Sequence, residues 1–281
     1  MLDALLDALI DSLKLLPFLF ITYLLMELLE SKAGEKSLKI IKKSGKFGPI
    51  IGGLLGIIPQ CGFSAAAANL YAGRVITLGS LVAIFLSTSD EMLPILISEA
   101  APIGLIIKIL IIKLIIGIIC GIIIDFILRK RKKTEYEENH IHDICQDEHC
   151  HCDEEGILKS SIKHTIHIFI YILVVTLIIN ILIYFIGKEN IAHIAINIPI
   201  IGNLIASIIG LIPNCASSVI LTQLYLQKIL PLGCLISGLL VNSGIGMLVL
   251  FKVNKNKKEN MAILGILFVI GLISGIIIDF I

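Results

Sequence analysis

The chain repeats itself at a fixed offset of 154 residues, and this duplication, laid over long apolar runs, leaves few folds open. Gly56-Ile57-Ile58-Pro59-Gln60-Cys61 recurs as Gly210-Leu211-Ile212-Pro213-Asn214-Cys215, and Gly121 to Ile127 recurs letter for letter as Gly275 to Ile281. Two motifs far apart share one offset, so a whole half is duplicated rather than a short peptide. A hydrophobic fraction of 57 % and a mean hydropathy of +0.98 put both halves in the membrane class. Ile103 to Leu128 is long enough to cross the ~30 Å hydrocarbon layer as one helix, interrupted only by Lys108, Lys113 and Asp125. The fold class expected is an all-α polytopic membrane protein. A net charge of +1 gives no global field for nucleic acid.

The coarse helical pattern divides the chain into a first transmembrane repeat (1–128), a charged linker (129–160) and a second repeat (161–281). In the first half it predicts a span from Ser12 to Leu29, a broken stretch from Phe47 to Gly73, and spans from Val75 to Ile97 and Ile103 to Leu128. The second half repeats this at 162–186, 201–227, 229–251 and 261–281. The N-terminus has no basic n-region and instead spaces Asp3, Asp7 and Asp11 four apart, as on an interfacial helix rather than a signal peptide. Lys32, Lys36, Lys39, Lys42, Lys43 and Lys46 fill the first loop, and Arg129 to Lys133 open the linker, so both are expected to be cytoplasmic. Each half then crosses an odd number of times, which turns the second upside down relative to the first. Loop charges agree: Ser98 to Gly104 has no basic residue, whereas its repeat counterpart holds Lys252, Lys255, Lys257 and Lys258. Both termini are therefore expected outside, and the central loop inside.

The arms of each broken stretch, such as Gly48 to Ile58 and Gly62 to Gly73, are too short to span alone and predict a re-entrant or broken hairpin. The residue before a proline is pushed out of the helical region, so Ile58 and Ile212 should end the first arms. Twelve residues from Cys61 to Gly73 put the turn about 18 Å deep, near the midplane. Broken backbone at that depth points to a binding site. The tips offer Gln60, Cys61 and Ser64 from one half and Asn214, Cys215 and Ser218 from the other. Amide and hydroxyl oxygens, thiols and freed carbonyls at two facing tips suit a dehydrated cation, with Cys61 and Cys215 favouring softer metals. The same small polar residues also suit plain packing of hairpin arms. Asn69 and Gln223, a turn or two away, either extend the site or tie helices together.

The next span carries Ser87-Thr88-Ser89-Asp90-Glu91, matched by Val241-Asn242-Ser243-Gly244-Ile245. Ionisable groups inside a membrane are costly and point to function, so Asp90 is a candidate metal ligand and Asp90 or Glu91 a candidate proton carrier. Ser89, Asn242 and Ser243 join the candidate substrate site. A straight helix beyond Arg74 would lift Asp90 ~24 Å, to the outer boundary, whereas a break at the Ser-Thr-Ser run would bury it. Asp125 and Asp279, identical at the repeat offset and close to span ends, read as interfacial anchors.

The linker packs four histidines, three cysteines and six carboxylates into the sixteen residues from His140 to Glu155. His140, His142, Cys145, His149, Cys150, His151 and Cys152 offer several tetrahedral ligand sets for zinc-like ions without one fixed spacing. The tract reads as a flexible cytosolic metal-capture segment.

The paired Pro-Gln-Cys and Pro-Asn-Cys turns, the Ser-Thr-Ser-Asp run and the His/Cys-rich loop together resemble the family of ten-transmembrane heavy-metal exporters, whose members are labelled manganese transporters or arsenic efflux proteins. The resemblance covers essentially the whole length. It implies efflux across a bacterial cytoplasmic membrane rather than an enzyme, with five segments per half if each hairpin arm is counted. Oxygen ligands at Gln60, Asn214 and Asp90 suit manganese, and the histidine tract suits zinc, cobalt or nickel, so a divalent transition metal is the expected cargo. No permanently bound cofactor is expected, and a homo-oligomer stays open. No Walker or phosphorylated-aspartate motif is present, which leaves an ion gradient as driving force. A carrier of small anions or organic solutes, arsenic species included, would use the same hairpins through the positive N-terminal ends of their second arms.

Overall fold

A computed structural model of the chain describes residues 16, 17, 20, 21, 24, 47–58, 61–89, 92–131, 162, 165–167, 169–171, 173, 174, 177, 178 and 199–280. Among these residues it is all-helical. The first half contributes α1 (Gly48–Gly56), α2 (Cys61–Ala72), α3 (Leu78–Ser87), α4 (Met92–Ser98) and α5 (Ile103–Arg131). The second contributes α6 (Pro199–Gly210), α7 (Cys215–Leu226), α8 (Leu232–Val241), α9 (Gly246–Val253) and α10 (Lys257–Phe280). Adding 154 to the bounds of α2 and α3 gives the bounds of α7 and α8, and the starts of α4 and α5 move onto those of α9 and α10. The first arms end two residues before the expected Ile58 and Ile212, α1 at Gly56 and α6 at Gly210, with a tighter turn in which the Ile58 and Ile212 N–H groups donate to Leu55 O and Ile209 O.

The duplication extends to the joints. Both α2 and α7 close with a six-to-one backbone bond, Val75 N–H to Leu70 O and Ile229 N–H to Leu224 O. This closure needs a left-handed residue, usually glycine; here Arg74 (φ 58°) and Lys228 (φ 60°) take it. Thr77 then caps α3 by accepting from the Ser80 N–H at 3.1 Å. Asp125 reaches back from the end of α5 to the same helix start, accepting from the Gly79 N–H at 2.9 Å and the Thr77 hydroxyl at 2.7 Å. Asp279 repeats this on α8, accepting from the Gly233 N–H at 2.8 Å and from Asn203 Nδ2 at 2.6 Å. Asp125 and Asp279 are thus helix-start caps rather than interfacial anchors, placed where the helix dipole favours a carboxylate.

Among the described residues four stretches are long and apolar enough to cross a membrane: Leu78–Ser98, Ile103–Leu128, Leu232–Val253 and Lys257–Phe280. The first and third are 75 % and 94 % buried, the second and fourth only 22 %, so α3–α4 and α8–α9 form the interior and α5 and α10 the lipid-facing wall. On α5 the inner face is set at every fourth position: Ile109, Lys113, Gly117, Gly121 and Asp125 are buried, while Ile107, Ile111, Ile115 and Ile119 point outward. Small residues bring the layers together. A Cβ on Gly79 would lie 2.2 Å from the Gly121 carbonyl, and one on Gly233 2.3 Å from that of Gly275.

Each half builds the same unit, α1 and α5 around α3, and α6 and α10 around α8. The halves meet reciprocally: α3 packs on α8, α9 on α2, and α4 on α7. Arg74, at the end of α2, also forms a two-pronged ion pair with Glu259, at the start of α10, with N···O distances of 2.9 and 3.0 Å. Tyr71 donates its hydroxyl to the same carboxylate.

Candidate functional site

Neither interior span is a continuous helix. α3 stops at Ser87, whose hydroxyl donates to the Ala83 and Ile84 carbonyls, and the Thr88 hydroxyl and N–H both turn back to Ile84 O at 2.7 and 2.9 Å. Ser and Thr side chains offer the backbone this alternative to a further helical turn. Of the two courses the sequence left open, a straight helix or a break at the Ser-Thr-Ser run, the structure takes the break, with Thr88 closing the helix before it rather than opening the next. In the second half Asn242 accepts from the Gly244 N–H at 2.9 Å, and Gly244 takes a φ of 55° that glycine tolerates freely. Helix resumes at Met92 and at Gly246.

The breaks adjoin the tips. Ser89 donates to the Ile57 carbonyl at 2.7 Å, tying the first break to the turn between α1 and α2 of its own half. Gly246 abuts Ser64 of the other half so closely that an added Cβ would lie 2.8 Å from the Ser64 backbone. Ser64, Ser89, Asn214, Ser218, Asn242 and Ser243 are all at most 5 % exposed, a dense set of buried oxygens in an apolar interior. Ser217, next to them, donates to the Asn214 carbonyl at 2.7 Å and so tightens the second tip. Asn69 is buried, whereas Gln223 is exposed, so this repeat pair does not share one environment.

Cys61 and Cys215 open α2 and α7. Gln60, Asp90, Glu91 and the tract from His140 to Cys152 lie outside the described residues. Among the described residues no group of three or more His, Cys, Asp or Glu side chains converges. What the tips and breaks bury among the described residues is hydroxyl and amide oxygen.

The family model described as "Putative, 10TM heavy-metal exporter" matches residues 1–200 and, in a second overlapping match, 137–254. The chain belongs to this family. It is accordingly a multi-pass membrane protein of an exporter family, in keeping with the four membrane-length apolar stretches among the described residues. No curated protein and no solved structure matches the chain.

One residue of this exporter-family chain carries more than the sequence assigned to it. Lys113, read only as an interruption of an apolar span, is 1 % exposed and donates its ammonium to the carbonyls of Thr88 and, at 3.1 Å, Leu239. It touches the first break from one half and the end of α8 from the other. Its repeat counterpart is Leu267, equally buried and uncharged. A signal was available in the sequence: an ionisable group inside a span, present in one copy and absent from the other. Arg74 and Glu259 were likewise invisible as partners, being 185 residues apart. The hydrogen bond to Glu259 holds the Arg74 guanidinium even more firmly protonated than usual.

Proposed function

We propose that the chain is a secondary-active exporter of a divalent transition or heavy metal ion, manganese or zinc-like, built as two inverted-topology repeats with the substrate path at the two tips and the adjoining breaks. The observation that carries this reading is the reciprocal packing of each broken span on the other half, with Gly246 seated on Ser64. Gln60, Cys61, Ser64, Asn214, Cys215, Ser218 and the break residues Ser89, Asp90, Asn242 and Ser243 then surround the ion. Oxygen donors dominate this set, as a hard or borderline divalent cation prefers. The histidine- and cysteine-rich linker gathers the metal on the cytosolic side, and Asp90 or Glu91 exchanges the proton that drives export.

Inversion is supported by contacts at the ends of α5 and α10. Asp125 sits at the start of α3, and Ile103, twenty-two residues earlier in α5, is ~33 Å away along the helix. Glu259, the repeat counterpart of Leu105, instead meets Arg74 just before α3. Equivalent helix starts thus lie toward opposite ends of the molecule, as two halves related by an axis in the membrane plane require.

The test is a metal panel, with arsenic species included, in cells lacking their own exporters. Expression should lower the cellular content of one divalent metal, and Cys61→Ala, Cys215→Ala and Asp90→Asn should each weaken that effect about tenfold or more. Unchanged content and toxicity of every metal would defeat the export reading. Undiminished export after deletion of His140 to Glu155, with an arsenic species as the only responder, would replace the divalent cation by the small-solute class.

A further inference from the structure

Lys113 lies ten residues into α5, about 15 Å from its start, close to the middle of the hydrocarbon layer. Its two carbonyl partners share one property. Thr88 is the residue that caps the C-terminal end of α3, and Leu239 lies in the last turn of α8, which ends at Val241 with Asn242 as its cap. The last four carbonyls of a helix have no N–H four residues ahead to accept from, and the negative pole of the helix is centred on them. The Leu239 carbonyl belongs to such a pole, whereas Thr88, whose ψ of 129° turns its carbonyl out of the helical direction, offers a carbonyl freed by the break; one from each half faces the same ammonium. In membrane transporters the ends of broken helices and their freed carbonyls are the groups that bind sodium-like ions. The repeat-related position carries Leu267, so duplication alone does not account for the charge.

We propose that the C-terminal ends of α3 and α8 form an ion site of their own, shaped for a free monovalent cation and filled by Lys113 as a tethered one. The ammonium clamps the two broken spans together across the boundary between the halves, and the chain needs no sodium-like ion at this point. Without the side chain, the carbonyls of Thr88 and Leu239 line a vacancy that a small cation can enter. The site adjoins the proposed metal path at the first break, and its test reads cation-dependent stability rather than export, so it stands whatever the exported species is.

Thermal unfolding of the purified full-length protein in detergent tests this in the chlorides of sodium, lithium, potassium and choline at one ionic strength. The unaltered protein should unfold at the same temperature in all four. Lys113→Ala should be least stable in choline and recover by about 3 °C or more in one of the small cations, since an ion bound only by the folded state raises Tm. Indifference of Lys113→Ala to the cation, or an equal shift in the unaltered protein, overturns the proposal. Two further variants serve if Lys113→Ala does not fold. Lys113→Arg keeps the charge and should accumulate with a higher Tm than Lys113→Met, which fills the volume but leaves the carbonyls unpaired. A methionine variant as stable as the unaltered protein also overturns it.

Discussion

Asp125 and Asp279 do at residue scale what a capping side chain does within one helix, but from another helix: each accepts a free N–H in the first turn of α3 or α8. A carboxylate that takes two donors at a positive helix pole, in surroundings that exclude water, is hard to replace. Asp125→Ala and Asp279→Ala should each lower stability by about 2–3 kcal/mol in thermal or denaturant unfolding, with the asparagine variants losing less. Wild-type stability in both alanine variants would show the contacts to be incidental. The sequence displayed these two residues as a repeated pair and still pointed to the wrong role, because their partners Gly79 and Gly233 are 46 residues distant and glycine carries no signal of its own. Lys113 escaped for a related reason. Its partners are main-chain carbonyls, which every residue has, so no motif records them.

The helices themselves were far more legible, since their limits are set by local chemistry. The first arms end a few residues short of the prolines that cannot continue them, the Ser-Thr-Ser run stops α3, and the repeat then transfers these limits to the other half. Which faces of those helices touch was not legible, because contact between halves depends on how closely backbones can approach. Gly246 shows this: its neighbour is the Ser64 backbone, which cannot swing aside as a side chain would. Gly246→Val should therefore push α9 off α2 and cost about 1–3 kcal/mol, read as lowered Tm. Gly104→Ala is the control, as nothing lies within 4 Å of an added Cβ there, and it should be neutral. Equal Tm for the two variants would remove the close contact between the halves from the explanation.

For the whole molecule, the orientation of the halves decides which faces can open. Lys258 and Gly104 are repeat counterparts and both exposed, so cysteines at these positions should react with an impermeant reagent from opposite sides, Lys258→Cys from the cytoplasm. Parallel halves would put both on one side. On the proposed inversion the Arg74–Glu259 pair is a one-sided feature. The corresponding place on the far side has Lys228 and Leu105, and leucine cannot accept a hydrogen bond. In the proposed carrier one face is then closed by an ion pair reinforced by Tyr71 and by Asn254, 3.3 Å from the carboxylate, and the other face lacks that pair. Arg74 and Glu259 are 38 % and 23 % exposed, which limits the pair to about 1 kcal/mol after solvent screening. In a carrier that alternates between two faces, that energy is roughly a fivefold bias toward closure on the Arg74 side. Glu259→Gln should remove most of the bias, so a cysteine at Ser64, buried beside the opposite half's Gly246, should react about threefold faster from that side and somewhat slower from the other. High salt should accelerate labelling of the unaltered pair in the same sense but leave Glu259→Gln unmoved, because screening acts only where a charge pair remains. Equal acceleration from both faces would mean that the substitution loosens the fold as a whole, and the ion pair would then be a fastening rather than a gate.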